Sequence, residues 1–190
     1  PMEEGTVSIS RVRGVSSFPC KFMLVAAMNP CPCGFFGHPA RPCTCSPSAV
    51  QRYLSRVSGP LLDRIDLHIE VEPVDFSDLA SIDRAESSAM IRQRVNSARR
   101  RQAQRYEGTG YTSNSQVPFS VLRELFSVTN EAEGVLEKAF QHYGFSARVY
   151  DRLLRVCCTI ADLEGSDQVT SDHVMEAVQY RSLDRKFWRR

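Results

Sequence analysis

An unbroken apolar run, Phe22-Met23-Leu24-Val25-Ala26-Ala27-Met28, ends on Asn29-Pro30-Cys31-Pro32-Cys33-Gly34. A run apolar at odd and even positions alike predicts a strand covered on both faces, as in a parallel α/β sheet. In such sheets chemistry sits at the carboxyl ends of strands, which is where Asn29 falls. The Cys31-x-Cys33 pair is answered by Cys43-x-Cys45, and Gly34, Gly37, Pro39 and Pro42 lie between them. That composition is a loop, so four sulfurs can converge.

Thiolates favour Zn²⁺ in a closed tetrahedral site, although the usual gap within a structural pair is two to four residues and here it is one. Reduced surface thiols or a redox pair are the rival readings, and His38 offers a substitute ligand. Zinc is favoured because a Gly/Pro loop without an apolar core of its own needs a cross-link to be ordered. Cys20, Cys157 and Cys158 read as small packed hydrophobes. The odd count of seven cysteines argues against a fully paired disulfide framework.

Of the 190 residues, 42% are hydrophobic and 24% charged, the balance of an ordinary globular protein. No stretch approaches the about 20 apolar residues of a membrane span. The start is not a charged-then-apolar signal sequence, so the expected address is cytoplasmic, with no membrane partner. A net charge of +2 names no partner by itself, but Arg92, Arg94, Arg99, Arg100, Arg101 and Arg105 crowd one segment. Helical arginines of this kind usually form a solvated face.

Pro1-Met2-Glu3-Glu4-Gly5 leads straight into the alternation Thr6-Val7-Ser8-Ile9-Ser10, which reads as a cut inside a larger protein. The alternation, the turn at Arg13-Gly14 and Val15 to Phe18 predict a half-buried β-hairpin with Arg11 and Arg13 near its tip. A helix is expected over 47–57 behind Ser46 or Ser48, stopped by Gly59-Pro60. A short strand is expected over 67–71 with Leu67, Ile69 and Val71 inward, then a polar connector over 74–84. Helical periodicity follows over 85–106, 120–126, 130–143, 146–163 and 171–180, with Gly108-Thr109-Gly110, Gly144 and Gly165 as breaks and Thr170 or Ser171 capping the last.

Two further segments invite a chemical reading. In Ser58-Gly59-Pro60-Leu61-Leu62-Asp63-Arg64-Ile65-Asp66, the forked and permanently charged Arg64 suits a transferring phosphoryl group, while an Asp-Arg dipeptide is more often a structural ion pair. In Gly144-Phe145-Ser146-Ala147-Arg148, a cation in the first helical turn is disfavoured by the macrodipole and asks for a nearby anion, or is simply a surface arginine. The arginines at the hairpin tip are, on the residues alone, solvated turn residues.

Ala26-Ala27-Met28-Asn29-Pro30 after a hairpin, then Gly59 to Leu67, then Ser146-Ala-Arg-Val-Tyr-Asp-Arg-Leu-Leu-Arg-Val-x-x-Thr-Ile-Ala-Asp-Leu163, resembles the carboxyl-terminal part of magnesium-chelatase-like AAA+ ATPases. The Asn-Pro-Cys-Pro-Cys-Gly element is similar to the ComM/YifB branch. The resemblance runs from Met2 to about Arg185 and rests on ordered motifs. It implies an α+β, mainly α fold. Residues 1–74 would be the back half of an AAA+ α/β core, with hairpin, core strands and cysteine loop, and residues 75–190 the helical lid.

By the same resemblance Asn29 matches sensor 1, which orients water near the nucleotide γ-phosphate. Arg64 matches the arginine finger that reaches a neighbouring subunit's nucleotide, and Arg148 the sensor 2 arginine of the lid. Arg11 and Arg13 would line a pore and touch DNA phosphates. The implied cofactors are ATP and Mg²⁺ in the intact parent, with structural Zn²⁺ on Cys31, Cys33, Cys43 and Cys45. The implied partners are DNA and further copies of the same chain in a hexameric ring, with a role in DNA processing, recombination or competence.

One departure limits this. The phosphate-cradling pattern G-x-x-x-x-G-K-[ST] is absent, as is an apolar strand ending in Asp-Glu to hold Mg²⁺. The expectation is that these residues alone neither hydrolyse ATP nor bind it tightly. Two other readings stay open: a zinc-stabilised module that contacts DNA or protein without nucleotide chemistry, and a chaperone-like or chelatase-type motor that remodels a protein.

Overall fold

The computed structural model describes residues 2–12, 14–74 and 86–181. Arg13 and nearly all of the expected 74–84 connector lie outside the described residues. The chain divides into two compact units, residues 1–65 and 66–190.

The first unit opens with strands β1 (Thr6–Arg11) and β2 (Gly14–Pro19), paired antiparallel from Thr6 opposite Pro19 to Arg11 opposite Gly14. The hairpin is closed at its base by the Cys20 N–H donating to the Gly5 carbonyl at 2.7 Å. Alternation therefore set the register as expected, but the ribbon is not half-buried: Ile9 and Phe18 are largely exposed. Helix α1 (Pro47–Leu54) starts where the sequence predicts, with the Ser46 hydroxyl accepting from the Ala49 N–H, and it buries Val50 and Leu54. Gly59-Pro60 does not merely stop it. Proline at the first turn is preorganised for a helix, and behind the Ser58 cap these residues open a second short helix, α2 (Gly59–Leu62).

Two expected strands are absent among the described residues. Residues 22–28 form no ladder, and Met23 and Val25 are 88% and 85% exposed. Residues 67–71 are irregular, with Leu67, Ile69 and Val71 exposed rather than inward. A strand cannot satisfy its own backbone donors and acceptors and exists only beside another. Residues 22–28 have no such neighbour among the described residues, and the backbone bond found in 67–71 is His68 N–H to the Tyr180 carbonyl at 2.8 Å.

The second unit is helical: α3 (Ser88–Arg105), α4 (Phe119–Leu125), α5 (Asn130–Tyr143), α6 (Ala147–Glu164) and α7 (Ser171–Gln179). Their bounds follow the predicted ones within three residues, because the local chemistry marks them. Ser87, Thr129 and Ser146 each accept a hydrogen bond in the first turn of the helix they precede. Gly144 and Gly165 end α5 and α6 in the left-handed region, at φ of 61° and 84°, where a side chain would be strained. A two-residue parallel pair, β3 (Ser127–Val128) with β4 (Gln168–Val169), ties the entry of α5 to the exit of α6. Val149, Leu153, Leu154, Cys157, Cys158 and Ala161 form the apolar stripe of α6 and the centre of a core completed by Leu122, Val169 and Val174. The architecture is α+β and mainly α. No helix of the described residues is long and apolar enough to cross a membrane.

Candidate metal centre and nucleotide-facing arginines

The cysteine loop, residues 31–45, carries the first unit's cluster of metal-binding side chains. After Asn29-Pro30 the chain turns at Gly34, at a φ of 84°, with the Gly34 N–H donating to the Cys31 carbonyl at 3.0 Å. The turn brings Cys33 back beside Cys31, and the Cys43 and Cys45 pair meets them across the loop. The sulfurs of Cys31 and Cys33 are 3.3 Å apart, those of Cys31 and Cys43 3.7 Å, and those of Cys33 and Cys43 3.5 Å. With Cys45 included, all four lie within 4.8 Å of one another.

These separations exclude one rival reading of the loop and fit another. A disulfide needs about 2.05 Å between sulfurs, so none of these pairs is bonded. Zn–S bonds of about 2.3 Å place the corners of a tetrahedron about 3.8 Å apart, close to what is seen. Cys31 is fully buried, and its sulfur accepts the Phe36 N–H at 3.3 Å. Hydrogen bonds from the backbone at Phe35 and Thr44 are the main reason that the Cys33 thiol is lowered to about 5. Cys43 receives the same kind of support from Cys45, yet desolvation and the hydrogen bonds with Cys33 and Cys31 outweigh it and push it up to about 12. Four thiols so close cannot all ionise without a cation among them, and a dication with N–H-supported thiolates is the arrangement the donor set fits.

His38 is not part of this set. Its Nδ1 accepts from the Ala40 and Arg41 N–H groups at 3.0 and 3.1 Å, which uses it to shape its own loop.

Asn29 is exposed, two residues before Cys31, and its Cγ lies 3.9 Å from where a Cβ would stand on Gly34. The same turn that gathers the sulfurs thus borders this amide. Arg64 follows α2, its Nη1 donating to the Pro60 carbonyl at 2.9 Å and its Nε pairing with Glu3 at 3.1 Å. Both contacts stay within the first unit and leave the guanidinium partly exposed. Arg148 is exposed in the first turn of α6, just after the Ser146 cap, whose Oγ accepts the Val149 N–H at 3.3 Å. Arg11 sits, exposed, at the end of β1.

Asp162 was missed in the sequence. Its buried carboxylate receives Nη1 and Nη2 of Arg105, Gln102 at 3.0 Å and Asn114 at 2.9 Å, and Asn114 in turn accepts the Tyr106 hydroxyl at 2.7 Å. Burial alone would lower the Arg105 pKa, but the Asp162 hydrogen bond and charge outweigh it and raise it. The Arg105 guanidinium also lies 3.9 Å over the Phe126 ring. The signal was available: an aspartate beside Cys158 and Ala161 on the apolar stripe of α6 must be paired to be buried there. The network locks α3 onto α6.

The description "Magnesium chelatase, subunit ChlI" matches residues 1–79, and "Magnesium chelatase, subunit ChlI C-terminal" matches residues 85–181. The chain belongs to the magnesium chelatase subunit ChlI family. Among its relatives are the uncharacterized protein YifB of Escherichia coli, 40% identical over 188 residues, and the competence protein ComM of Haemophilus influenzae, 40% identical over 187. An uncharacterized protein of Mycobacterium tuberculosis is 38% identical over 183 residues. The first two alignments cover 97% of this chain and the third 95%, against 35–36% of the relatives. The chain therefore spans about a third of the length of these relatives, and within this family it carries the cysteine cluster, Asn29, Arg64 and Arg148 described above.

Proposed function

We propose that the chain is part of a ring-forming, nucleotide-hydrolysing AAA+ motor that acts on DNA. Residues 1–74 would form the back half of the ATPase core and residues 75–190 its helical lid. The observation that carries the reading is the ordered pair of family matches, with Asn29 and Arg64 in the first and Arg148 in the second. In this reading Asn29 orients the attacking water, Arg64 contacts the phosphates held by a neighbouring subunit, and Arg148 contacts those of its own. A permanently charged fork suits both arginine roles, because charge on a transferring phosphoryl group spreads over its oxygens. Glu3 is the resting partner of Arg64 and would release it on assembly.

Cys31, Cys33, Cys43 and Cys45 would hold structural Zn²⁺, which supplies a closed cross-link and no chemistry of its own. A metal-clamped loop beside Asn29 would fix the position of that amide. Mg²⁺ and the β- and γ-phosphates would be held by residues of the whole protein that this chain does not carry. Exposed Arg11, with Arg13, would touch DNA phosphates, and the likeness to the competence protein ComM of Haemophilus influenzae supports a role in competence.

In the whole protein Arg64→Ala should cripple ATP hydrolysis while leaving nucleotide binding largely intact. Binding that falls as far as hydrolysis would demote the finger. Replacing Arg11 and Arg13 with glutamine should weaken salt-dependent DNA binding; an unchanged affinity would remove the hairpin from the DNA contact, and no DNA binding by the whole protein would favour a motor that remodels a protein instead. ATP turnover by this chain alone, lost in Arg148→Ala, would contradict the division of labour proposed here.

A further inference from the structure

Helix α3 has a charge pattern that packing does not explain. Its 18 residues include six arginines and no acidic residue, whereas a solvated helix face ordinarily interleaves both signs. Three of the six are used inside the helical unit. Arg94 pairs with Glu86 at 2.8 Å, Arg101 with Asp167, and Arg105 with Asp162. The other three, Arg92, Arg99 and Arg100, are exposed. Among the described residues none of them is paired with a carboxylate, and Arg99 meets only the Gln102 Oε1, at 3.3 Å.

At about 100° per residue, Arg92, Arg99 and Arg100 fall roughly 90–170° away from the stripe of Ala98, Gln102 and Arg105 that packs into the bundle. Gln93 and Asn96 stand among them and add uncharged donors. The exposed apolar residues Ile91 and Val95 lie instead on the continuation of the packed stripe. A helix that lies in a lipid surface needs an apolar face opposite free solvent, and the arginine face has none of its own. Unpaired like charges on one face repel until an anion screens them. From Arg92 to Arg100 the helix rises about 12 Å, a length over which duplex DNA presents about seven phosphate charges.

We propose that Arg92, Arg99 and Arg100 form a nucleic-acid phosphate contact on the outer face of α3, separate from the hairpin and independent of any nucleotide chemistry. The contact reads backbone charge and not base sequence, since guanidinium and amide donors on a helix lying against phosphates reach no base edge.

The test is fluorescence anisotropy of a labelled mixed-sequence duplex titrated with the protein, between about 50 and 200 mM salt. The triple variant R92Q/R99Q/R100Q keeps helix propensity, because glutamine and arginine are similar in a helix interior. The slope of log affinity against log salt should become shallower by about 2 to 3 in this variant. Arg94→Gln, on a paired position, should leave it unchanged. An unchanged slope in the triple variant, or no binding by the unmodified protein at about 50 mM salt, overturns the proposal. Tighter binding to anionic-lipid vesicles than to duplex, lost in the triple variant, overturns it as well. R11Q/R13Q separates the two DNA readings. If that pair removes the whole slope and the α3 variant none, the α3 contact falls and the hairpin stands; the reverse result sinks the hairpin alone.

Discussion

The two units are held together by different means. The helical unit has a continuous core from Tyr106 through Leu154 to Val174, with a satisfied polar lock at Asp162. The first unit leaves Phe22, Met23, Leu24, Val25 and Met28 exposed, and its buried apolar residues are Cys31, Val50, Leu54 and Leu62. Apolar burial is the largest favourable contribution to folding, so the helical unit supplies its own order while the first unit depends on a ribbon, two short helices and four sulfurs. Cysteines show the contrast directly. Burial pushes Cys157 up to about 12 and Cys158 higher still, which makes them inert packing groups, whereas backbone donors lower Cys33 to about 5.

Stripping metal with a chelator should have the largest effect, and it should be confined to the first unit. Chymotrypsin cleavage between Phe36 and Gly37, inside the cysteine loop, should go from absent to rapid while the urea transition of the helical unit stays where it was. A shift of both together would erase the contrast. Next, Asp162→Ala leaves Arg105 without its partner in a largely buried site and should destabilise the helical unit by about 3–5 kcal/mol, read as a lower urea midpoint. Leu154→Ala opens a cavity in the same core and should cost about 2–5 kcal/mol. If either substitution were silent, the helical unit would not be the self-sufficient half. Ser146→Ala removes the cap of α6 and should cost about 1 kcal/mol in the same transition. The smallest effect expected is in native thiol labelling: the cluster should react once metal is removed, and Cys157 and Cys158 should react only on unfolding.

The same contrast explains what could be seen in the sequence. Helices α3 to α7 were legible because caps such as Thr129 and Ser146, stops such as Gly144 and Gly165, and the apolar period of α6 are all local signals. The hairpin was legible for the same reason, from alternation and Gly14. Residues 22–28 and 67–71 were not, because a strand is defined by its neighbour and the alternation or apolarity of one segment cannot supply it. The four-cysteine cluster was visible as spacing, but only the geometry excluded His38, which turns back onto Ala40 and Arg41. The Asp162 lock escaped notice because its partners Gln102, Arg105 and Asn114 come from distant stretches of chain. The tiny β3–β4 pair carries no periodicity that two residues could display.

We propose that metal, not apolar packing, orders the first unit. Elemental analysis of the purified protein beside its Cys43→Ser variant measures this. The prediction is about one zinc per chain, absent in the variant, with the urea midpoint of the helical unit identical in both. Metal-free protein whose four cluster thiols react freely and whose loop still resists chymotrypsin between Phe36 and Gly37 would contradict it.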